Sequence, residues 1–276
     1  MTTQREKEYE TKIMEWRARK YDELVRENGW LALAGLFWLH EGRNLMGSNP
    51  MCEVVLPERA PTFLGLVELK NKTVHFQAAE GVLVKINGRS VRKAILKSSK
   101  EAQPSFITWN DKLRLVLHEH AGKPAIRIWD NLRITRSLAP LKWFPINKEV
   151  HIAARYKRYP DSQKMPHTDT FGDVVEERID GYVTFNFKGT KYKLDVTETK
   201  NHTLFIKFRD ETSHQETYPP SRYYYTEPVD KDGKVVLDFN FSYSPPCAFT
   251  EYATCIFAPP QNNLPFRVEA GERYRG

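Results

Sequence analysis

The chain has 276 residues, 40% of them hydrophobic and 28% charged, with a formal net charge of +7. That balance excludes an intrinsically disordered protein. No apolar run reaches the roughly 18–20 residues that a membrane-spanning helix needs. Three cysteines are too few, and odd in number, for a disulfide framework. The length suits one large domain or two small ones. The first twenty residues are charged throughout and lack the apolar core of a signal peptide, which places the protein in the cytoplasm. The positive charges are interleaved with acids. The densest basic stretch, Lys85, Arg89, Arg92, Lys93, Lys97 and Lys100, lies on alternating sequence with no zinc-finger, basic-zipper or RNA-recognition signature, which argues against a nucleic-acid partner.

Residues 4–28 read as one helix. Tyr9, Ile13, Trp16, Lys20 and Leu24 recur at three- and four-residue steps, and Asn28-Gly29 is a helix stop. WLALAGLFWL (30–39) reads as a short apolar helix or a buried strand. After Gly42 the period changes to two. Short runs at 54–57, 64–70, 73–78, 82–88, 90–96, 105–109, 113–119 and 125–130 are bounded by turn residues, the pattern of a sandwich or barrel. The apolar knot LKWFPIN (141–147) marks a boundary. A second β run follows at 149–159, 173–179, 181–187, 192–198, 203–210, 221–227 and 234–241, with Lys188-Gly189 and Asp232-Gly233 as hairpin turns. From Ser242 the tail is Pro-rich. The expectation is a mainly β protein. A helical segment (1–41) precedes a β-sandwich-like subdomain (42–140) and a second antiparallel β-sheet or barrel subdomain with a Pro-rich tail (141–276).

Four stretches carry a family likeness. They are GWLALAGLFWLHEGRNLMGSNP (29–50), LKWFPIN (141–147), FRDETSHQETYPPSRYYY (208–225) and DFNFSYSPPCAFTEYATCIFAPPQNNLPFRVEAGER (238–273). Together they resemble the uncharacterised family catalogued as domain of unknown function 1684, a resemblance that implies no particular activity. In the N-terminal half, GRNLMGSNPMCEVVLP followed by VLVKINGRSVRKAIL looks like the forkhead-associated β-sandwich. The phosphothreonine-reading residues of that fold are missing, since Ser48 stands where its Arg belongs.

The chemistry-bearing residues concentrate in the C-terminal half. Residues 208–225 pack convergent polar and aromatic groups into a connection after a clear strand, where sites are usually found. Arg222 can hold a carboxylate or phosphate bidentately, and Asp210 or Glu216 can act as general base. Asp238 and Asn240 fall on one face of a strand, with Arg222 as the expected partner of Asp238. Cys247 and Cys255 admit four readings: a metal site, a disulfide, a catalytic thiolate or packing. Their spacing of eight and the absence of a nearby His favour packing. His118 and His120 share a strand face without a third ligand, and no metal set emerges. His167 stands alone.

Glycine-rich phosphate loops, nucleophile elbows, zincin motifs and dinucleotide fingerprints are absent from the sequence, so no cofactor follows from it. The expected site is a C-terminal pocket for a small polar or anionic ligand. Asp210, Glu216 and Cys247 are its candidate catalytic groups. Thr212, Tyr218, Arg222, Asp238, Asn240, Tyr243 and Tyr252 are its candidate ligand-binding groups. The alternative is a non-catalytic protein that binds a partner through the N-terminal sandwich.

Overall fold

Alternating sequence becomes strands wherever one face can be buried, and the computed structural model is accordingly mainly β. It describes residues 3–135 and 140–274. The chain divides into two compact units, residues 22–138 and residues 1–21 with 139–276.

In the first unit, two sheets enclose one core. A six-stranded sheet contains Leu33–Trp38, Lys123–Asp130, Leu113–His120 and Phe106–Trp109 in that spatial order, followed by two short strands. A five-stranded sheet is built around Gly42–Gly47, Gly65–Lys70 and Thr73–Ala78. Met46, Val67, Phe76, Ile107, Leu115 and Ile126 meet between them and are essentially solvent-free. WLALAGLFWL is therefore a 3-10 turn, Trp30–Ala32, running into a strand, Leu33–Trp38.

The second unit is a curled half-barrel of six antiparallel strands: β1 (His151–Thr168), β2 (Val174–Phe187), β3 (Thr190–Glu198), β4 (Leu204–Phe208), β5 (Arg222–Tyr225) and β6 (Lys234–Asp238). Their order is β5-β4-β3-β2-β1-β6. The runs predicted at 173–179 and 181–187 are one strand, because Gly181 continues the chain rather than breaking it. A Cβ at Gly181 would lie 2.3 Å from the Lys157 carbonyl, and the β1/β2 register slips just beside it, between Arg158 and Gln163. The predicted Lys188-Gly189 turn joins β2 to β3, with both residues at positive φ.

Asp232-Gly233 leads into β6, which pairs with β1 and not with β5, so it turns the chain without closing a two-stranded hairpin. The seam between the edge strands β5 and β6 is bridged by a side chain. The Tyr224 hydroxyl accepts from the Asp238 N–H at 2.8 Å and donates to the Val236 carbonyl at 3.2 Å. Inside the curl, Val183, Leu194, Ile206, Phe208, Leu237 and Phe239 form the core, and Leu264, Val268 and Ala270 of the tail pack into it.

The helix α1 (Gln4–Val25) contributes residues to this second unit. Ile13 is fully buried, and Trp16 packs edge-on against Trp143 and Phe241 at centroid distances of 5.5 and 5.2 Å. Arg17 donates to the Phe144 carbonyl at 3.0 Å and lies over the Trp143 ring. No helix among the described residues is long and apolar enough to cross a membrane.

Candidate functional site

The loop that leads from β4 into β5 turns its main polar groups, Asp210, Thr212 and Arg222, inward. Arg222 is 1% exposed. Its Nη1 donates to Asp210 Oδ2 at 2.7 Å and to the Val268 carbonyl at 3.0 Å, and its Nη2 to the Ala270 carbonyl. Burial pulls the guanidinium pKa down, and the Asp210 and Glu272 carboxylates oppose that. Asp210 also accepts from the N–H and hydroxyl of Thr212. Gly271, at φ +75°, makes room for this arrangement, since a Cβ there would lie 3.0 Å from Arg222 Nη2 and 2.4 Å from the Ser242 carbonyl. Arg222 thus pairs with Asp210, not with Asp238 as the sequence led us to expect. The pair ties the loop to the tail, and the buried side chain is turned away from solvent, where an incoming anion would have to reach it.

Asp238 and Asn240 do not share a strand face. β6 ends at Asp238, whose side chain caps the 3-10 turn Phe239–Phe241 by accepting from the Asn240 N–H at 3.1 Å. Asp238 Oδ2 accepts from the Tyr9 hydroxyl at 2.8 Å, and Asn240 Nδ2 donates to the Asn147 carbonyl at 2.7 Å. These two residues fasten α1 and the segment before β1 to the half-barrel. Glu216 lies at the rim, bridged to Arg267 and, at 3.7 Å, to Arg273. Tyr218 reaches the Cys247 carbonyl at 3.4 Å, and Tyr252 is half-buried in the same tail loop. The ten residues singled out in the sequence therefore fall into separate groups. Asp210, Thr212 and Arg222 converge, Asp238 joins Asn240, and Tyr218 joins Cys247.

A concave feature of this unit lies elsewhere. A groove of about 1090 Å³ runs beside α1, along β1, β2 and β6 and past the end of β5. Of the predicted residues, Asp238 and Tyr243 line it. The lining that went unrecognised in the sequence includes Trp16, Arg19 and Lys20 from the helix, Arg155 from β1, Lys191 from β3 and Tyr225 from β5. Six cationic side chains line it against three carboxylates. Lys12 is paired with Glu227 at 2.7 Å. Arg19, Arg155 and Lys191 are exposed and have no ion-pair partner among the described residues. Lys20 Nζ lies 4.3 Å from the centre of the Tyr243 ring. The available signal was the Trp16–Lys20 step on one helix face, an aromatic and a cation that the helical period places together.

A third cluster sits on the outer face of β4. Leu204, Ile206 and Phe208 point into the core, so Lys207 must point outward, yet it is only 4% exposed. Glu177 of β2 contacts both Lys207 and His167 of β1. Burial lowers the Lys207 pKa to about 7 and that of His167 to about 4. His167 Nε2 is buried without a hydrogen-bond partner. His167 was a solitary histidine in the sequence, and only the pairing of β1 with β2 places it near Glu177. In the first unit, Arg127 donates to His118 Nε2 at 3.0 Å, and burial lowers that histidine to about 3. No group of three metal-ligating side chains occurs among the described residues.

No curated protein sequence matches the chain at a significant level. Among solved structures, an uncharacterised protein of Haloarcula marismortui, determined by solution NMR, is 28% identical over 49% of this chain and 77% of that one. Its TM-score of 0.42 is too low to speak for the fold. Rad53 residues 1–466 in complex with AMP-PNP align at 9% identity and a TM-score of 0.17, over 71% of this chain and 46% of that one. An alignment that loose gives the forkhead-associated likeness of the N-terminal half no backing. The family model described as protein of unknown function, DUF1684, matches residues 136–273, which span the half-barrel and its tail. That match covers half of the chain, and the protein belongs to the DUF1684 family.

Proposed function

We propose that the half-barrel unit binds a small organic anion with an aromatic or apolar body, seated in the groove beside α1. The observation that carries this reading is the lining itself. Arg19, Arg155 and Lys191 present charge that no carboxylate of the described residues neutralises, next to Trp16, Tyr225 and Tyr243. Ligand sites combine apolar walls with a few placed polar groups, and a volume of about 1090 Å³ lies just above their usual range. Cations over aromatic walls suit a carboxylate, sulfonate or phosphate carried on a flat ring or short chain. The sequence expectation of an anionic ligand in the C-terminal half is kept, with the anchor moved from Arg222 to the groove.

The test is a fluorescence titration with 8-anilinonaphthalene-1-sulfonate as the anionic aromatic probe. Binding should weaken at least tenfold in an Arg155→Glu/Lys191→Glu variant, and should weaken with added salt. Both side chains are exposed, so the variant's thermal midpoint should stay near that of the parent. Unchanged affinity in the variant would remove the groove as the site.

A second reading, acid–base or nucleophilic chemistry, rests on Lys207, an amine that burial brings to about 7 beside Glu177 and His167. The 13Cε shift of Lys207 should then titrate near pH 7, far below the surface lysines. A Lys207 that titrates with the surface lysines would mark the cluster as architecture.

A further inference from the structure

The tail loop holds two thiols whose surroundings differ from those of a packing cysteine. Cys247 sits in the 3-10 turn Pro246–Ala248 and is half-buried, and Cys255 is 8% exposed. Both are free thiols. The Cys247 N–H donates to the Cys255 sulfur at 3.3 Å, so the second thiol lies directly against the first residue. The Tyr218 hydroxyl donates to the Cys247 carbonyl at 3.4 Å, so it lies beside the same residue. The Tyr223 hydroxyl donates to the carbonyl of Ile256, the residue after Cys255, at 2.8 Å.

Donors that converge on one sulfur favour its thiolate, the nucleophilic form. The Cys255 thiol, with Tyr218, outweighs burial and lowers the Cys247 pKa. The same contact, with burial, raises that of Cys255. Burial also raises the Tyr218 pKa, which keeps its hydroxyl a donor. Cys52, in the other unit, is the contrast: a buried thiol that burial pushes up. Pro245-Pro246 and Pro259-Pro260 stiffen the two ends of the loop and limit how far the sulfurs can separate.

We propose that Cys247 and Cys255 are a redox-active dithiol that reduces hydroperoxides, with Cys247 attacking and Cys255 resolving. In the first step the Cys247 thiolate attacks one peroxide oxygen. An S–O bond forms, the O–O bond breaks, and the departing oxygen leaves as water or an alcohol after taking a proton. Cys247 is oxidised to a sulfenic acid and the peroxide is reduced. In the second step the Cys255 sulfur attacks Cys247 Sγ. An S–S bond forms, the S–O bond breaks, and the hydroxide leaves as water with the Cys255 proton. Two thiols and one hydroperoxide thus give one disulfide, one alcohol or water, and one water. None of this uses a residue proposed to hold the anion in the groove.

Alkylation of the full-length protein tests it. The reduced, denatured chain should take up three maleimides, one per cysteine. After hydrogen peroxide it should take up one, at Cys52. The tryptic peptide Val235–Arg267, which holds both tail cysteines, should be lighter by two hydrogens and return to its original mass with dithiothreitol. In Cys255→Ser, dimedone should trap a sulfenic acid at Cys247. In Cys247→Ser, Cys255 should remain a thiol. Full uptake of three maleimides, after a peroxide dose that oxidises equimolar glutathione in the same tube, would overturn the proposal. A dimedone adduct on Cys255 in Cys247→Ser would overturn the assignment of roles. The wild-type alkylation count stands even if a serine variant fails to fold.

Discussion

At the scale of single residues, the half-barrel is governed by buried charges. Asp210 is what makes a fully buried Arg222 tolerable, so Asp210→Ala should cost about 3–5 kcal/mol in urea unfolding, the usual cost of orphaning a buried charge. Lys207 and His167 add a pH dependence of definite sign. In the folded protein Lys207 binds its proton only below about 7, against 10.5 for the free side chain. Between those values the unfolded chain holds more protons, so stability rises with pH over that window. His167 acts likewise between about 4 and 6.5, and its burial cost is fully present below 4. The urea midpoint should therefore climb across both windows. Lys207→Met should abolish the upper climb, and an unchanged slope would show Lys207 to be charged in the fold throughout. The residue types of these networks were legible in the sequence, but their partners were not. Arg222 to Asp210 is a loop-closing contact, and Lys207 to Glu177 depends on strand order. Lys207 did carry one signal, a cation in the middle of LFIKF, where a strand rarely leaves one on a covered face.

At the scale of elements, period alone recovered most of the strands and the N-terminal helix, which ends at Val25 rather than Asn28. A helical period shows an apolar stripe but not what covers it. Ile13, Trp16 and Arg17 serve the half-barrel, whose strands begin more than a hundred residues later. Ile13→Ala should cost about 2–5 kcal/mol. Residues 139–276 expressed without the helix should be markedly less stable to urea, and a peptide of residues 1–21 added in trans should restore part of the loss. No effect of that peptide would mean that the half-barrel stands without α1. The misreading of Asp238 and Asn240 has a local cause. Alternation in DFNF is equally compatible with a strand and with a capped turn, and Asp at the junction favours the cap.

At the scale of the whole molecule, a β-sandwich-like unit and a curled half-barrel were both foreseeable from many short strands with turn residues between them. The groove was not, because its cations come from α1, β1 and β3, which only the three-dimensional fold assembles. A titration of 15N-labelled full-length protein with 8-anilinonaphthalene-1-sulfonate, followed by amide chemical shifts, tests the central claim most directly. Saturable shifts should centre on Trp16, Arg19, Arg155, Lys191 and Tyr225, with the amides around Asp210 undisturbed. Shifts confined to the 22–138 unit, or no saturable shifts at all, would contradict that claim.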